Sequence, residues 1–289
     1  MNLLADGSSV LETVGRRGRL SYEFEREDRR TTLTRSSCTS PWHHVPPSYL
    51  DDSGCAYTWL VNPSGGLVGG DHVSVEAQLH AGTHVLMTSP SANRIYRSLS
   101  EAAVQEVGIA VGPEARLEWL PELTIPFAGS RFRQLIHVDL AAGATAVLWD
   151  AMASGRIAMR ERWAFASVEN EICIRTASGA SVVERYRVVP DRLPESIGLA
   201  GSWDYVASLF VIGDVVGADV WNHLEGVLAA ILEQRHGLVL GAVSTLAAPG
   251  LVVKLVAQSA PNLTVTLQTI WAAVRQGLWD LPVTNLRRY

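Results

Sequence analysis

Leu79-His80-Ala81-Gly82-Thr83-His84-Val85, Val111-Gly112-Pro113-Glu114-Ala115-Arg116-Leu117 and Leu140-Ala141-Ala142-Gly143-Ala144-Thr145-Ala146 share one shape. Each leads from an apolar strand end through a three-residue turn and a small residue into a new alternating strand. The turn positions 82, 114 and 143 are spaced by 32 and 29 residues. Turns that recur at near-constant spacing point to stacked layers of β-structure. Ser178-Gly179-Ala180 reads as a degenerate fourth copy of the same turn.

The surrounding pattern agrees. Short runs rich in Val, Ile, Thr and Trp are separated by Gly, Pro, Ser or Asn: Val73–Leu79, His84–Thr88, Val104–Val111, Ala115–Leu120, Phe132–Leu140, Ala144–Trp149, Trp163–Val168, Glu171–Thr176 and Ser181–Val188. Runs this short read as strands. Upstream, Arg16–Arg35 alternates charges with Leu20, Tyr22, Phe24 and Leu33, as half-buried strands do, with a solvated turn inside Glu23–Arg30. The prolines of Pro41–Pro47 mark a loop. Asp51–Gly54 is a turn leading into a strand at Cys55–Val61.

The last third changes period. Val220, Leu224, Val227, Leu228, Ile231 and Leu232 fall on one helical face within Gly217–Gly237. After a strand at Leu251–Gln258, Asn262 is placed to cap a second helix that carries Leu263, Leu267, Ile270, Trp271, Val274 and Leu278 and ends near Gly277. The expected fold is mainly β, a layered, β-helix-like body with two α-helices in the C-terminal third. It is read as a single domain over residues 1–289, with a β-rich body at about 16–200 and a mixed α/β part at about 201–289. Residues 1–15 show no periodicity and read as a mobile tail.

Composition bounds the function. The 289 residues are 47% hydrophobic and 18% charged, with a net charge of −5. That is too apolar for disorder, and no apolar run reaches the ~20 residues of a membrane-spanning helix. The acidic balance weighs against nucleic acid. Cys38, Cys55 and Cys173 are an odd number without a Cys-x-x-Cys pair, which suits a reducing compartment. The first residues lack the basic and apolar regions of a signal peptide. The expectation is a cytoplasmic globular protein with no membrane or nucleic-acid partner.

Asn62-Pro63-Ser64-Gly65-Gly66-Leu67-Val68-Gly69-Gly70-Asp71 is the most unusual stretch. Gly65 and Gly70 have phosphate-loop spacing, but Asp71 and His72 follow where lysine and a hydroxyl residue are needed. The glycines read instead as a tight crossing between strands. This run resembles the signature of the urease accessory protein UreD (UreH) family. Ala81–His84 with Thr88–Ser98, Leu117-Glu118-Trp119-Leu120-Pro121-Glu122, Leu148-Trp149-Asp150 with Gly155-Arg156, and Val183-Glu184-Arg185 are similar to further landmarks of that family, in order over about residues 55–190. Two departures stand out: Met159-Arg160-Glu161-Arg162 replaces the usual Gly-Glu pair, and Arg94 replaces a lysine.

The resemblance implies a cytosolic, non-enzymatic scaffold or chaperone. Its implied partners are apo-urease and the UreF–UreG complex, with oligomerisation through that accessory complex, and its implied role is nickel insertion during metallocentre assembly. No tightly bound cofactor is expected, only transient nickel(II). Nickel(II) accepts carboxylate, imidazole and water, so scattered carboxylates can pass it on where thiolate clusters would trap it. Asp71, Asp150, Glu184 and Glu118 are the candidate residues of such a route, against the ordinary alternative of strand-end acids bonded to arginine or backbone. His43-His44 and His80/His84 read as solvated or packed. Trp119 and Trp149 read as core, whereas Trp271, Trp279 and the tail Asn285–Tyr289 are either core or partner-facing. The alternatives to a urease accessory role are a β-helix-like hydrolase using two of these acids, or a carbohydrate- or protein-binding β-domain with no metal role.

Overall fold

The computed structural model describes residues 17–190, 201–282 and Leu286. The expected tail at 1–15, and all of Asn285–Tyr289 except Leu286, lie outside them. Alternation sets the first strand, β1 (Arg17–Glu27), in which Leu20, Tyr22 and Phe24 are buried between more exposed neighbours. It turns at Asp28 into β2 (Arg30–Cys38), its antiparallel partner. After β3 (Ala56–Trp59) the chain settles into a repeating course between two sheets.

In each coil one strand of the first sheet is followed by one of the second: β4 (His72–Leu79) by β5 (His84–Thr88), β7 (Ala103–Val111) by β8 (Arg116–Leu120), and β10 (Arg131–Leu140) by β11 (Thr145–Ala153). The three repeated turns are the crossings between sheets. Gly82, Glu114 and Gly143 occupy them with φ of 68°, 58° and 76°. Left-handed backbone suits glycine and strains a residue with a Cβ, so Glu114 is the costly member of the set. The turns also bond to one another, Gly82 N donating to Pro113 O and Glu114 N to Ala142 O. Return segments containing β6 (Asn93–Ile95) and β9 (Thr124–Pro126), themselves paired in parallel, bring the chain back.

Stacking the coils makes parallel ladders within each sheet. β12 (Ser167–Arg175) extends the first sheet in parallel, and β13 (Ser181–Val188) closes it as an antiparallel hairpin. The Ser178–Ala180 turn is therefore not a fourth crossing, because it leaves the chain in the same sheet. The expected strands Trp163–Val168 and Glu171–Thr176 are also corrected: one strand begins at Ser167, and residues 163–166 belong to the return segment.

The second sheet continues without a break into the C-terminal third. β14 (Tyr205–Gly213) pairs antiparallel with β11, β16 (Gly250–Ala257) with β14, and β15 (Val239–Thr245) with β16. Helices α1 (Ala218–Gln234) and α2 (Ala260–Trp279) cover its outer face. On α1, Trp221 is buried in place of the expected Val220, which is exposed. The cap of α2 is Ser259, whose hydroxyl accepts from Asn262 N, with Pro261 in the first turn where a missing N–H costs nothing. Asn262 thus lies inside the helix, and Asp280 in left-handed backbone ends it beyond Gly277.

Candidate functional site

Between the two sheets the inward positions are apolar on either side of a single polar step. On β7 the inward order is Ala103, Gln105, Val107; on β10 it is Phe132, Gln134, Ile136; on β12 it is Val168, Asn170, Ile172. β11 supplies Leu148, Asp150, Met152 from the opposite sheet. Parallel register aligns these residues, since Gln105, Gln134, Asn170 and Tyr186 are successive partners across the first sheet. Asp150, Ser208 and Lys254 are successive partners across the second. A polar seam therefore crosses the solenoid at right angles to its strands, with a separate apolar cluster on either side.

The seam is hydrogen-bonded in one direction. Asn93 Nδ2 donates to Gln105 Oε1 (3.1 Å), Gln105 Nε2 to Gln134 Oε1 (3.2 Å), and Gln134 Nε2 to Asp150 Oδ1 (2.8 Å). Asn170 Nδ2 donates to Asp150 Oδ2 at 2.9 Å. Every amide thus points its donors toward one carboxylate. Burial raises the Asp150 pKa to about 6, and the charge of Glu184 adds to the shift, against the lowering effect of bonds from Gln134, Asn170 and Tyr186. Burial likewise holds the Tyr186 phenol well above its usual range, with the charges of Asp150 and Glu184 acting in the same sense. Glu184 accepts from Ser208 Oγ at 2.8 Å and pairs with Lys254, whose side chain is largely exposed.

Asp150 lines two depressions. One is a cleft bounded by Trp42, Asn62, Gly65, Gly66, Ser89 and Gln105, beside the glycine-rich loop. The other opens at the far end of the solenoid between Glu184, Tyr186, Ser208, Leu240 and Lys254. Asp150 is inside a strand that runs on to Ala153, beyond the expected run Ala144–Trp149.

The four candidate acids are thus divided. Asp150 and Glu184 share the seam. Asp71 closes the glycine-rich loop, its carboxylate accepting from Val68 N at 2.8 Å. That loop packs tightly on the next coil: a Cβ on Gly66 would lie 2.3 Å from Arg94 O. Glu118 faces the opposite side of its sheet, under α2. There it accepts from His84 Nε2 (2.7 Å) and Trp271 Nε1 (2.5 Å), with Arg275 Nε at 3.6 Å. Arg275 also reaches Tyr57 Oη (3.1 Å) and Asp51 (3.4 Å). Cys55, His84 and Glu118 bring potential metal-ligand atoms within 4.8 Å of one another. The carboxylate already accepts two hydrogen bonds and lies beside the Arg275 guanidinium, however, so the cluster stands as a buried polar network in its own right. His84 is packed as expected, with Trp279 edge-on to it at 5.2 Å. Trp119, Trp149 and Trp271 are core.

Sequence reasoning missed the amides. The signal was present: Gln105 stands 9 residues before the turn residue at 114, and Gln134 stands 9 before the one at 143. They are the same position of successive coils.

This architecture, two parallel-laddered sheets with a polar seam between them and helices on one flank, defines a β-solenoid-like protein. The chain matches the family model described as UreD urease accessory protein over residues 16–288. It is 41% identical over 207 residues to the urease accessory protein UreD of Deinococcus radiodurans, covering 70% of this chain and 74% of that one. It is 32% identical over 266 residues to the UreD of Herpetosiphon aurantiacus, covering 91% and 92%. The chain belongs to the UreD family of urease accessory proteins. No helix among the described residues is long and apolar enough to cross a membrane.

Proposed function

We propose that the chain acts in urease maturation as a non-catalytic cytoplasmic scaffold that binds apo-urease and the UreF–UreG complex and passes nickel(II) along its polar seam. The observation that carries this reading is the convergence of the amide chain and Glu184 on Asp150, which lines both depressions. A buried carboxylate is costly when ionised and unpaired, so a passing divalent cation lowers the energy of that state and competes with the proton. Oxygen and amide groups suit transit, because they bind a borderline cation less tightly than thiolates do. Lys254 guards the far opening as a mobile counter-ion: its exposed side chain can swing away from Glu184 when a cation arrives.

Asp150 and Glu184 are the residues on which the proposal rests; Asp71 and Glu118 serve the loop and the buried network. The test is alanine substitution of Asp150 and Glu184, singly and together. Nickel loading of urease should fall while pull-down of UreF–UreG and apo-urease persists. Full activation by the double variant would overturn the route, and loss of partner binding in the wild-type protein would overturn the scaffold.

A further inference from the structure

The solenoid has a third face, formed where each coil returns from the second sheet to the first. The segments 62–71, 93–102, 124–131 and 155–166 lie side by side on it. Leu67 N donates to Arg94 O, Gly70 N to Ala102 O, Phe127 N to Ile95 O and Gly129 N to Ala164 O. Two properties set this face apart in a chain of net charge −5. First, Arg94, Arg97, Arg131 and Arg160 are exposed on it, and among the described residues none of them forms an ion pair. Of the acids on or beside the face, Glu161 is engaged by Arg156 and Ala128 N, Asp204 by Arg162 and Asp71 by Val68 N, while Glu101 is exposed and enters no ion pair among the described residues, so arginine is in excess.

Second, the face is apolar between its charges. Leu99 is 94% exposed, Met159 65% and Val68 48%. The same face carries a groove bounded by Tyr96, Arg97, Phe127, Gly129, Arg156 and Glu161, the last already paired with Arg156. Its floor is the Tyr96–Phe127 edge-to-face pair at 5.0 Å, with the Arg156 guanidinium 4.2 Å over Phe127. Exposed aliphatic side chains around an aromatic floor mark a protein-binding surface, where arginine and aromatic residues dominate the energy. Unpaired arginines select the charge of what binds. The same face borders the cleft, since Gly65 and Gly66 line the cleft and pack against Arg94 and Tyr96.

We propose that this face docks a protein segment bearing carboxylates around an aliphatic side chain, the aliphatic group on the Tyr96–Phe127 floor and the carboxylates on Arg94, Arg97, Arg131 and Arg160. The inference rests on the urease-maturation reading for the identity of the proteins tested. Its exposed apolar rim favours protein over nucleic acid, which would be held by the arginines alone.

Two variants of the full chain test it: Arg94→Glu/Arg97→Glu/Arg131→Glu, and Leu99→Ser/Met159→Ser. All five side chains are exposed, so circular dichroism and melting should match wild type. Binding to purified apo-urease and to purified UreF–UreG is measured by interferometry at low and high salt, with duplex DNA as a third probe. The expected result is a tenfold or greater loss of affinity for one of the two protein partners in both variants, salt-sensitive only where the arginines are intact. Wild-type affinity for both partners in both variants would overturn the docking face. DNA binding that is lost in the charge variant while both proteins still bind would also overturn it. Failure of the wild-type chain to bind either protein would overturn the functional reading, and this inference with it.

Discussion

Asp150 is buried where an ionised carboxylate is disfavoured, and its folded pKa of about 6 lies above the ordinary value of 3.8. A raised acid pKa means that the folded state prefers the protonated form. Stability from this group is therefore greatest below about pH 4 and declines as pH rises through 6. The difference corresponds to about 3 kcal/mol at neutral pH. Replacing Asp150 with Asn should stabilise the protein at pH 7.5 by less than that amount, because the new amide can accept from only one of Gln134 and Asn170, and the advantage should vanish near pH 4; urea titrations across that range check it. Truncation at the Glu118–Arg275 pair should destabilise instead. Both side chains are fully buried, so Arg275→Ala leaves the carboxylate without its guanidinium partner and should cost about 3–5 kcal/mol, measured by the same denaturation. Combining it with Glu118→Gln should restore part of the loss. At this scale the sequence showed the acids, because a carboxylate inside an apolar run is conspicuous. It could not show that Glu118 and Asp150 face opposite sides of one sheet, since that depends on the strands' register and position in the sheet.

The crossing turns are the elements that make the solenoid, and their cost can be measured. Glu114 holds left-handed backbone where its counterparts are Gly82 and Gly143. Glu114→Gly should raise stability by up to about 1 kcal/mol, whereas Gly143→Ala should lower it by a similar or larger amount, because its new Cβ would sit 3.1 Å from Glu114 Cγ. Melting temperatures of the two variants decide the matter, and a gain from Gly143→Ala would contradict it. These three turns were legible because each needs the same backbone and so nearly the same residues. The Ser178–Ala180 turn also centres on a glycine and has a different outcome, a hairpin, because a glycine turn alone does not say which sheet receives the next strand. β15 escaped notice for a related reason: its Gly241 interrupts a short run whose side chains are mostly exposed. At α2, Ser259 and Asn262 were both competent caps, and Pro261 at the first turn fits only the earlier start.

For the whole molecule, repetition carries both the fold and the site. Coils that repeat at nearly 30 residues bring position after position into line, so a polar residue at one inward position becomes a seam across the body. The layered β class was legible from the turns, but the seam was not, because it joins amides spread from Asn93 to Asn170 that acquire meaning only when paired. Asp150→Asn should make a protein at least as stable as wild type and a poorer donor of nickel. The direct test is the nickel content and specific activity of urease matured with the Asp150→Asn variant under conditions where both proteins bind their partners equally. A fall of about tenfold is expected, the scale on which lost metal-site interactions act. Urease matured to wild-type nickel content by that variant would contradict it.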